Sequence, residues 1–307
     1  TLPRPSPPRT HRDRPRTPRM SATKPGSPRP EEVIVALQRQ LAACQRQNNT
    51  KAEDFGKSSL SQNDKKGAFK RKDAVFREKV EKNGKFPPES GRYVLYVSYA
   101  CPWASRCLAV LHLKGLAKHI EVCSVHPTWQ RTRPADASDA HAGWVFVDPD
   151  KKDLELHNSA GWGKYGVGSN LTKDTVNNLP TIRDVYETQK GKSTHTFSVP
   201  VFWDKKTNYI VCNESSIIIE FLNSEFNDLE GVNKSLDLSP SHLQAKVDET
   251  NAWVYPTINN GVYRCGFAKS QEAYEEAFYQ LFDSLDRVDD ILSKSRYICG
   301  DQLTMAD

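Results

Sequence analysis

A chain of 307 residues is long enough for one or two domains with real cores, and 37% hydrophobic against 26% charged residues describes an ordinary globule rather than a disordered or membrane-embedded chain. Formal net charge is +5, but residues 1–30 carry seven arginines against one acid, so the remainder is close to neutral and charge gives no argument for nucleic acid. Apolar residues nowhere run to the ~18 that a membrane-crossing helix needs.

Residues 1–30 also hold nine prolines, and such a segment cannot bury apolar surface, so disorder is expected there. Residues 31–46 place Val33, Ile34, Leu37 and Leu41 at helical spacing. Residues 47–91 read as a polar, Lys-rich linker or surface arm, with order expected from Arg92 onward. Tyr93–Val97 is a buried-strand pattern. Residues 102–116 read as a helix that stops at Gly115, and 119–125 as a second strand, making a βαβ unit. A long Trp-, Gly- and Asp-rich irregular stretch follows to residue 171. Residues 175–189 look helical, broken or kinked at Pro180. The run VPVFWDKKTNYIVCN (199–213) is two strands around the turn DKKTN, and NESSIIIEFLNSEF opens a helix at Asn213 or Glu214. The order βαβ, α, ββα is that of a thioredoxin-type domain. No strand pattern follows Pro240. Residues 239–262 predict a helix interrupted near Pro256. Residues 271–292 predict a strong one, with Ala277, Phe278, Leu281, Phe282, Leu285, Val288, Ile291 and Leu292 recurring at three and four. Thr304 and Asp307 have the spacing of a capping box that opens a further helix, so the sequence reads as C-terminally truncated.

The seven cysteines are Cys44, Cys101, Cys107, Cys123, Cys212, Cys265 and Cys299. An odd, scattered set predicts reduced thiols in an intracellular compartment. That compartment is the cytoplasm, or a mitochondrion if the Arg-rich start is a transit segment. Cys123 and His126 stand at ligand spacing, but no second pair completes a metal site, so no metal is expected.

Cys101 differs from the other six. It falls between strand and helix, at an N-cap position with Pro102 at N1. Free amides and the helix dipole there favour thiolate, and such cysteines titrate at about 3.5–7.5 instead of about 8.5. Residue 104 is Ala, so no second cysteine one turn on resolves an oxidised Cys101, and an outside thiol must do so. The other six read as packing. Val199-Pro200 opens a central strand, where a cis proline exposes the preceding backbone for pairing with a peptide-like ligand. Glu214 and Ser215 begin a helix whose amides suit a ligand carboxylate, while Glu214 suits an ammonium. Helix capping alone also accounts for both. A ligand with an amino-acid end, a backbone-like middle and a thiol is glutathione.

The segments CPWASR, GWVF (143–146), TIRDVYE (181–187), VPVFWDKKTNYIVCNESS (199–216), WVYPTINNGVYRCGFA (253–268) and QEAYEEAF…LDRVDDIL together resemble the glutathionyl-hydroquinone reductases, the xi class of glutathione transferases. The resemblance runs from about Gly67 to Asp307. It implies an α/β plus all-α fold. Residues 1–66 would be a basic, disordered extension, residues 67–230 a thioredoxin-like glutathione-binding domain, and residues 237–307 an incomplete helical domain. It also implies a homodimer and glutathione as co-substrate, with a glutathionylated hydroquinone as substrate and no metal, membrane or nucleic-acid partner. Carried over motif by motif, Cys101 is the nucleophile and Tyr263 of NNGVY the catalytic tyrosine, with Tyr255 the nearby alternative. Trp144 would lie against glutathione, Val199 would pair with its cysteinyl backbone, and Glu214 with Ser215 would hold its γ-glutamyl end. The sequence departs from the family in a longer 131–141 stretch and in Ile217, where a charged residue is expected. Two other readings compete. One is an omega-like thiol transferase acting on dehydroascorbate or protein mixed disulfides. The other is a non-catalytic glutathione-transferase-like binding module whose basic tail docks to nucleic acid or an acidic partner.

Overall fold

The computed structural model describes residues 62–157, 163–191 and 196–307. The expectations for residues 1–30, for the helix over 31–46 and for Cys44 lie outside them. Strand β1 (Tyr93–Val97) is buried at every position, as a strand covered on both faces must be. Helix α1 (Pro102–Leu113) follows, with Cys101 in extended conformation at its N-cap and Pro102 in its first turn. It ends before Leu116, because Gly115 adopts φ 73°, where a Cβ would also meet the Gly231 carbonyl at 3.2 Å. A 3₁₀ turn over Leu116–Lys118 leads into β2 (Ile120–Ser124), which runs parallel to β1 with Tyr93 opposite Ile120.

Strands β3 (Gln130–Arg131) and β4 (Ala142–Gly143) form a small antiparallel ribbon, so the long 131–141 stretch is a hairpin. Arg131 donates to the carbonyls of Asp136 and Asp139 across it, and Arg183 pairs with Asp139 at 2.5 Å. Of the helix expected over 175–189, only α2 (Ile182–Glu187) forms. Asp174 explains the rest. Its carboxylate accepts from the amides of Val176, Asn177 and Leu179 and from the Tyr96 hydroxyl, winding the segment into a turn instead. Thr181, directly after Pro180, then caps α2 by accepting from the Asp184 amide.

Strands β5 (Val201–Asp204) and β6 (Tyr209–Cys212) form the expected hairpin, and α3 (Ser215–Ser224) begins after Glu214, which is its N-cap. The sheet order is β2-β1-β5-β6, with β5 antiparallel to β1 and β6 antiparallel to β5. This is a thioredoxin-like domain. Arg92 and Asp204 join its lower edge by a buried bidentate pair at 2.8 and 2.6 Å.

The helical domain comprises α4 (Gln244–Val254), α5 (Gly261–Gly266) and α6 (Gln271–Leu292). The break expected near Pro256 is a π-helical turn over Tyr255–Asn259, closed by the Asn260 amide on the Tyr255 carbonyl at 2.8 Å. Ser270 caps α6 through the Ala273 amide. Of the apolar stripe on α6, Ala277 and Leu281 are buried, whereas Phe282, Leu285 and Leu292 are exposed. Thr304 and Asp307 form the capping contact, the carboxylate accepting from the Thr304 amide at 2.8 Å.

Residues 62–91 overturn the reading of a surface linker with order beginning at Arg92. Phe69, Phe76, Val80 and Phe86 are buried in this segment. Asn213 accepts from the Phe76 amide through its side chain and donates to the Phe76 carbonyl through its backbone. At its other end the segment is tied to the helical domain: the Lys269 amide donates to the Gly67 carbonyl and Asn63 to the Phe267 carbonyl. Widely spaced aromatics inside a lysine-rich background have neither strand nor helix period, which is why the pattern hid them.

Candidate active site

Between the two domains a cavity of about 280 Å³ opens over the start of α1. Cys101 lines it, together with Trp144, Val199, Glu214, Ser215 and Tyr263, so the fold gathers all six residues singled out in the sequence. Their positions follow from the elements that carry them. Cys101 sits where β1 hands over to α1. The Val199-Pro200 bond is cis and lies directly before β5, and the Val199 carbonyl accepts a hydrogen bond from the Cys101 thiol at 3.4 Å. Glu214 caps α3 by accepting from the Ser216 amide and hydroxyl, and its other oxygen stands 3.6 Å from Arg77. Capping and lining are both true of it. Ser215, the first residue of α3, is buried.

Tyr263 reaches the cavity from α5 and Tyr255 from the π-helical turn. Both pack on Trp103, with ring centroids at 6.0 and 5.8 Å. Burial first, and the Cys101 sulfur second, push the Tyr263 hydroxyl up to about 12, while Arg71 pulls it down. Tyr263 is therefore protonated near neutral pH. On Tyr255, burial again raises the hydroxyl, and the charges acting there are Arg71, Glu214, Asp73 and Arg106.

The ionisation expected for Cys101 is reversed. Burial raises its thiol above the ordinary value, and the amides of Ala104 and Trp103 with the charge of Arg71 recover only part of that. Position at a helix start predicts the second effect, but the first comes from tertiary packing: the residue is 8% exposed and its thiol already has an acceptor in Val199. Of the described cysteines read as packing, four are buried and one is not. Cys107, Cys123, Cys212 and Cys299 are buried, and Cys265 is half-buried. Among the described residues no cluster of His, Cys, Asp and Glu suits a metal, and no helix is long and apolar enough to cross a membrane.

Sequence reasoning gave no role to several wall residues. Trp129 packs edge-on against Trp144 at 5.4 Å. Phe69 meets Phe267 at 5.5 Å, and Arg71 lies over both Trp103 and Tyr263. The Trp of CPWASR was the available signal for one of them. Phe69 and Arg71 sit on the segment taken for a linker.

Comparison with known proteins places the chain in a family. Residues 100–225 match the family model of the glutathione S-transferase N-terminal domain, and residues 271–307 that of the C-terminal domain. A Schizosaccharomyces pombe protein, glutathione S-transferase omega-like 2, is 39% identical over 248 residues, covering 79% of this chain and 70% of its own. The Escherichia coli glutathionyl-hydroquinone reductase YqjG is 38% identical over 249 residues, covering 78% and 67%. Among solved structures, the xi transferase of Phanerochaete chrysosporium superposes with a TM-score of 0.65 at 45% identity, covering 78% of this chain and 72% of that one. The chain belongs to the xi-class glutathione transferases. It is an enzyme of that class, a thioredoxin-like domain followed by a helical one. The glutathione-bound structure of YqjG is also similar, with a TM-score of 0.64 over 75% of this transferase and 68% of that chain.

Proposed function

We propose that this transferase reduces glutathionyl-hydroquinones to hydroquinones through a mixed disulfide between Cys101 and glutathione. The observation that carries the reading is the Cys101 sulfur on a cavity walled by Trp103, Trp129, Trp144, Tyr255 and Tyr263, with a cis Val199-Pro200 beside it. A flat aromatic thioether suits such walls. The cysteinyl N–H of glutathione would take the Val199 carbonyl. That carbonyl now accepts from the Cys101 thiol, so ligand binding would release the sulfur and favour its thiolate. Glu214 and Ser215, at the start of α3, would hold the γ-glutamyl end, and Trp144 would cover the tripeptide.

The chemistry then needs two partners. The thiolate attacks the glutathionyl sulfur while the carbon–sulfur bond breaks, and Tyr263, protonated at neutral pH, supplies a proton to the ring carbon. Hydroquinone leaves, and a second glutathione attacks the mixed disulfide to give oxidised glutathione and free Cys101. A homodimer belongs to the same reading, and sedimentation of the full-length protein checks it.

Assaying a glutathionyl-hydroquinone beside dehydroascorbate tests the reading. Cys101→Ser should abolish both reactions. Tyr263→Phe should lower the first by about 10²-fold, the scale of a lost general acid, and leave the second much less affected. Equal losses in Tyr263→Phe would remove the tyrosine from this role, and turnover of dehydroascorbate alone would favour the omega-like reaction.

A further inference from the structure

We propose that Arg71 is a positioning residue for this reduction, supplying the counter-charge to the Tyr263 phenolate that forms when Tyr263 gives its proton to the substrate's ring carbon. The proposal rests on the reading of Tyr263 as proton donor. Arg71 is carried by the segment before β1, which bears none of the quoted family motifs. Its guanidinium carbon lies 4.5 Å from the centroid of the Tyr263 ring and 4.9 Å from that of Trp103. The side chain is fixed in rotation, because its Nε donates to Asn260 Oδ1 at 2.9 Å. Asn260 precedes Tyr263 by three residues at the head of α5, so one contact sets the two side chains relative to each other.

Arg71 Nη2 and Trp103 Nε1 are buried and have no acceptor in good hydrogen-bond geometry, yet both lie close enough to the Tyr263 hydroxyl to act on it as donors. Both residues line the cavity of Cys101. Buried donors without acceptors are rare in folded proteins and need an explanation. Here a cationic fork and an indole N–H share one wall, and neither can accept a hydrogen bond. Such a pair suits an oxygen that becomes negative. Of the nearby carboxylates, Glu214 is engaged by Ser216 and Arg77, and Asp73 is exposed. The Tyr263 hydroxyl is the oxygen on this wall that must gain charge during the reaction, and Arg71 and Trp103 both act to favour its charged form.

Protons and electrons close over the cycle. The Cys101 thiolate forms a sulfur–sulfur bond as the carbon–sulfur bond breaks, so the ring carbon is reduced and the two sulfurs oxidised. The carbon gains the Tyr263 proton. The second glutathione arrives as a thiol, leaves that proton on the Tyr263 phenolate and attacks as thiolate, restoring the Cys101 thiolate as oxidised glutathione departs. Arg71 stays charged throughout and holds the phenolate between the two steps.

The test compares the full chain with Arg71→Gln and Arg71→Lys on two substrates. One is a glutathionyl-hydroquinone. The other is the mixed disulfide of glutathione and 2-mercaptoethanol, whose exchange puts no proton on carbon. In Arg71→Gln, kcat for the hydroquinone substrate should fall by about 10²-fold with KM nearly unchanged, the scale of losing one preorganised donor at a developing charge. That loss should exceed the loss in disulfide exchange by about 10-fold or more, and Arg71→Lys should recover part of it. Equal losses in both reactions, a change confined to KM, no loss, or no recovery in Arg71→Lys would each overturn the proposal. Melting curves establish that the variants are folded, and Arg71→Met gives the same readout if Arg71→Gln is not. A wild-type protein that turns over no glutathionyl-hydroquinone would sink the function proposed above. An active wild type with an unimpaired Arg71→Gln would sink only the role of Arg71.

Discussion

The Cys101 sulfur is under two opposed influences, and its surroundings as a whole decide between them. Helix-start amides and the Arg71 charge favour thiolate, but burial outweighs them while the thiol donates to Val199. The neighbouring core thiols share that sign. Burial raises Cys107 well above its ordinary value and pushes Cys212 up to about 12, with Cys123 raised as well. In each, the folded state holds its proton more tightly than the unfolded state, whose thiols titrate near about 8.5. The stability these groups contribute is therefore complete below about pH 8.5 and declines as pH climbs toward their folded values, by roughly 1 kcal/mol per pH unit for each fully buried thiol. Melting temperature, measured with reductant from pH 8 to 10.5, should fall, and Cys107→Ala with Cys212→Ala should flatten the slope. A flat profile in the parent protein would contradict this. Cys101, Val199, Glu214 and Ser215 were legible because each stands at a local signature: a cysteine before proline, a proline opening a strand, a polar pair opening a helix. Trp144 and Tyr263 carry no such signature and were reached only through the family resemblance of GWVF and NNGVY. The raised thiol was not legible, because desolvation depends on neighbours that no local window contains.

Elements with a strong period were read nearly to the residue. Strand β1 and helix α6 have the expected limits, since a continuous apolar run and a sustained three-four repeat leave few alternatives. The segment before β1 shows the opposite case. Its buried residues Phe69, Phe76, Val80 and Phe86 are separated by lysines and acids, so it has no period, yet it closes one wall of the site. Phe76 is fully buried and packs edge-on against Tyr186 and Tyr209, at 5.9 and 6.1 Å. Phe76→Ala should cost about 3–5 kcal/mol, the scale of an aromatic deleted from a packed core, measured by urea unfolding. A cost within about 0.5 kcal/mol, the scale of a surface change, would mean the segment is the linker that its composition suggested. The turn before α2 failed for a related reason. Asp174 replaces helical hydrogen bonds with its own, which residue spacing does not show.

At the scale of the whole molecule, the thioredoxin-like domain supplies the sulfur, the cis Val199-Pro200 and the start of α3, while the helical domain supplies two tyrosines. The segment before β1 ties the two together, through Asn213 on one side and Lys269 and Asn63 on the other. The order of strands and helices was enough to read the first domain, because a βαβ unit and a β-hairpin joined by a helix admit few sheets. The cavity was not readable in that way, since its walls come from short stretches scattered between Gln62 and Phe267. What joins these parts is the claim that one sulfur carries glutathione between substrate and product. The direct measurement is a single-turnover reaction of the full-length protein with a glutathionyl-hydroquinone and no free glutathione, stopped by acid and read by peptide mass spectrometry. The account predicts one mixed disulfide with glutathione, on Cys101, formed together with one hydroquinone and cleared when glutathione is added. Hydroquinone released with no adduct at Cys101, or an adduct on another cysteine, would contradict it.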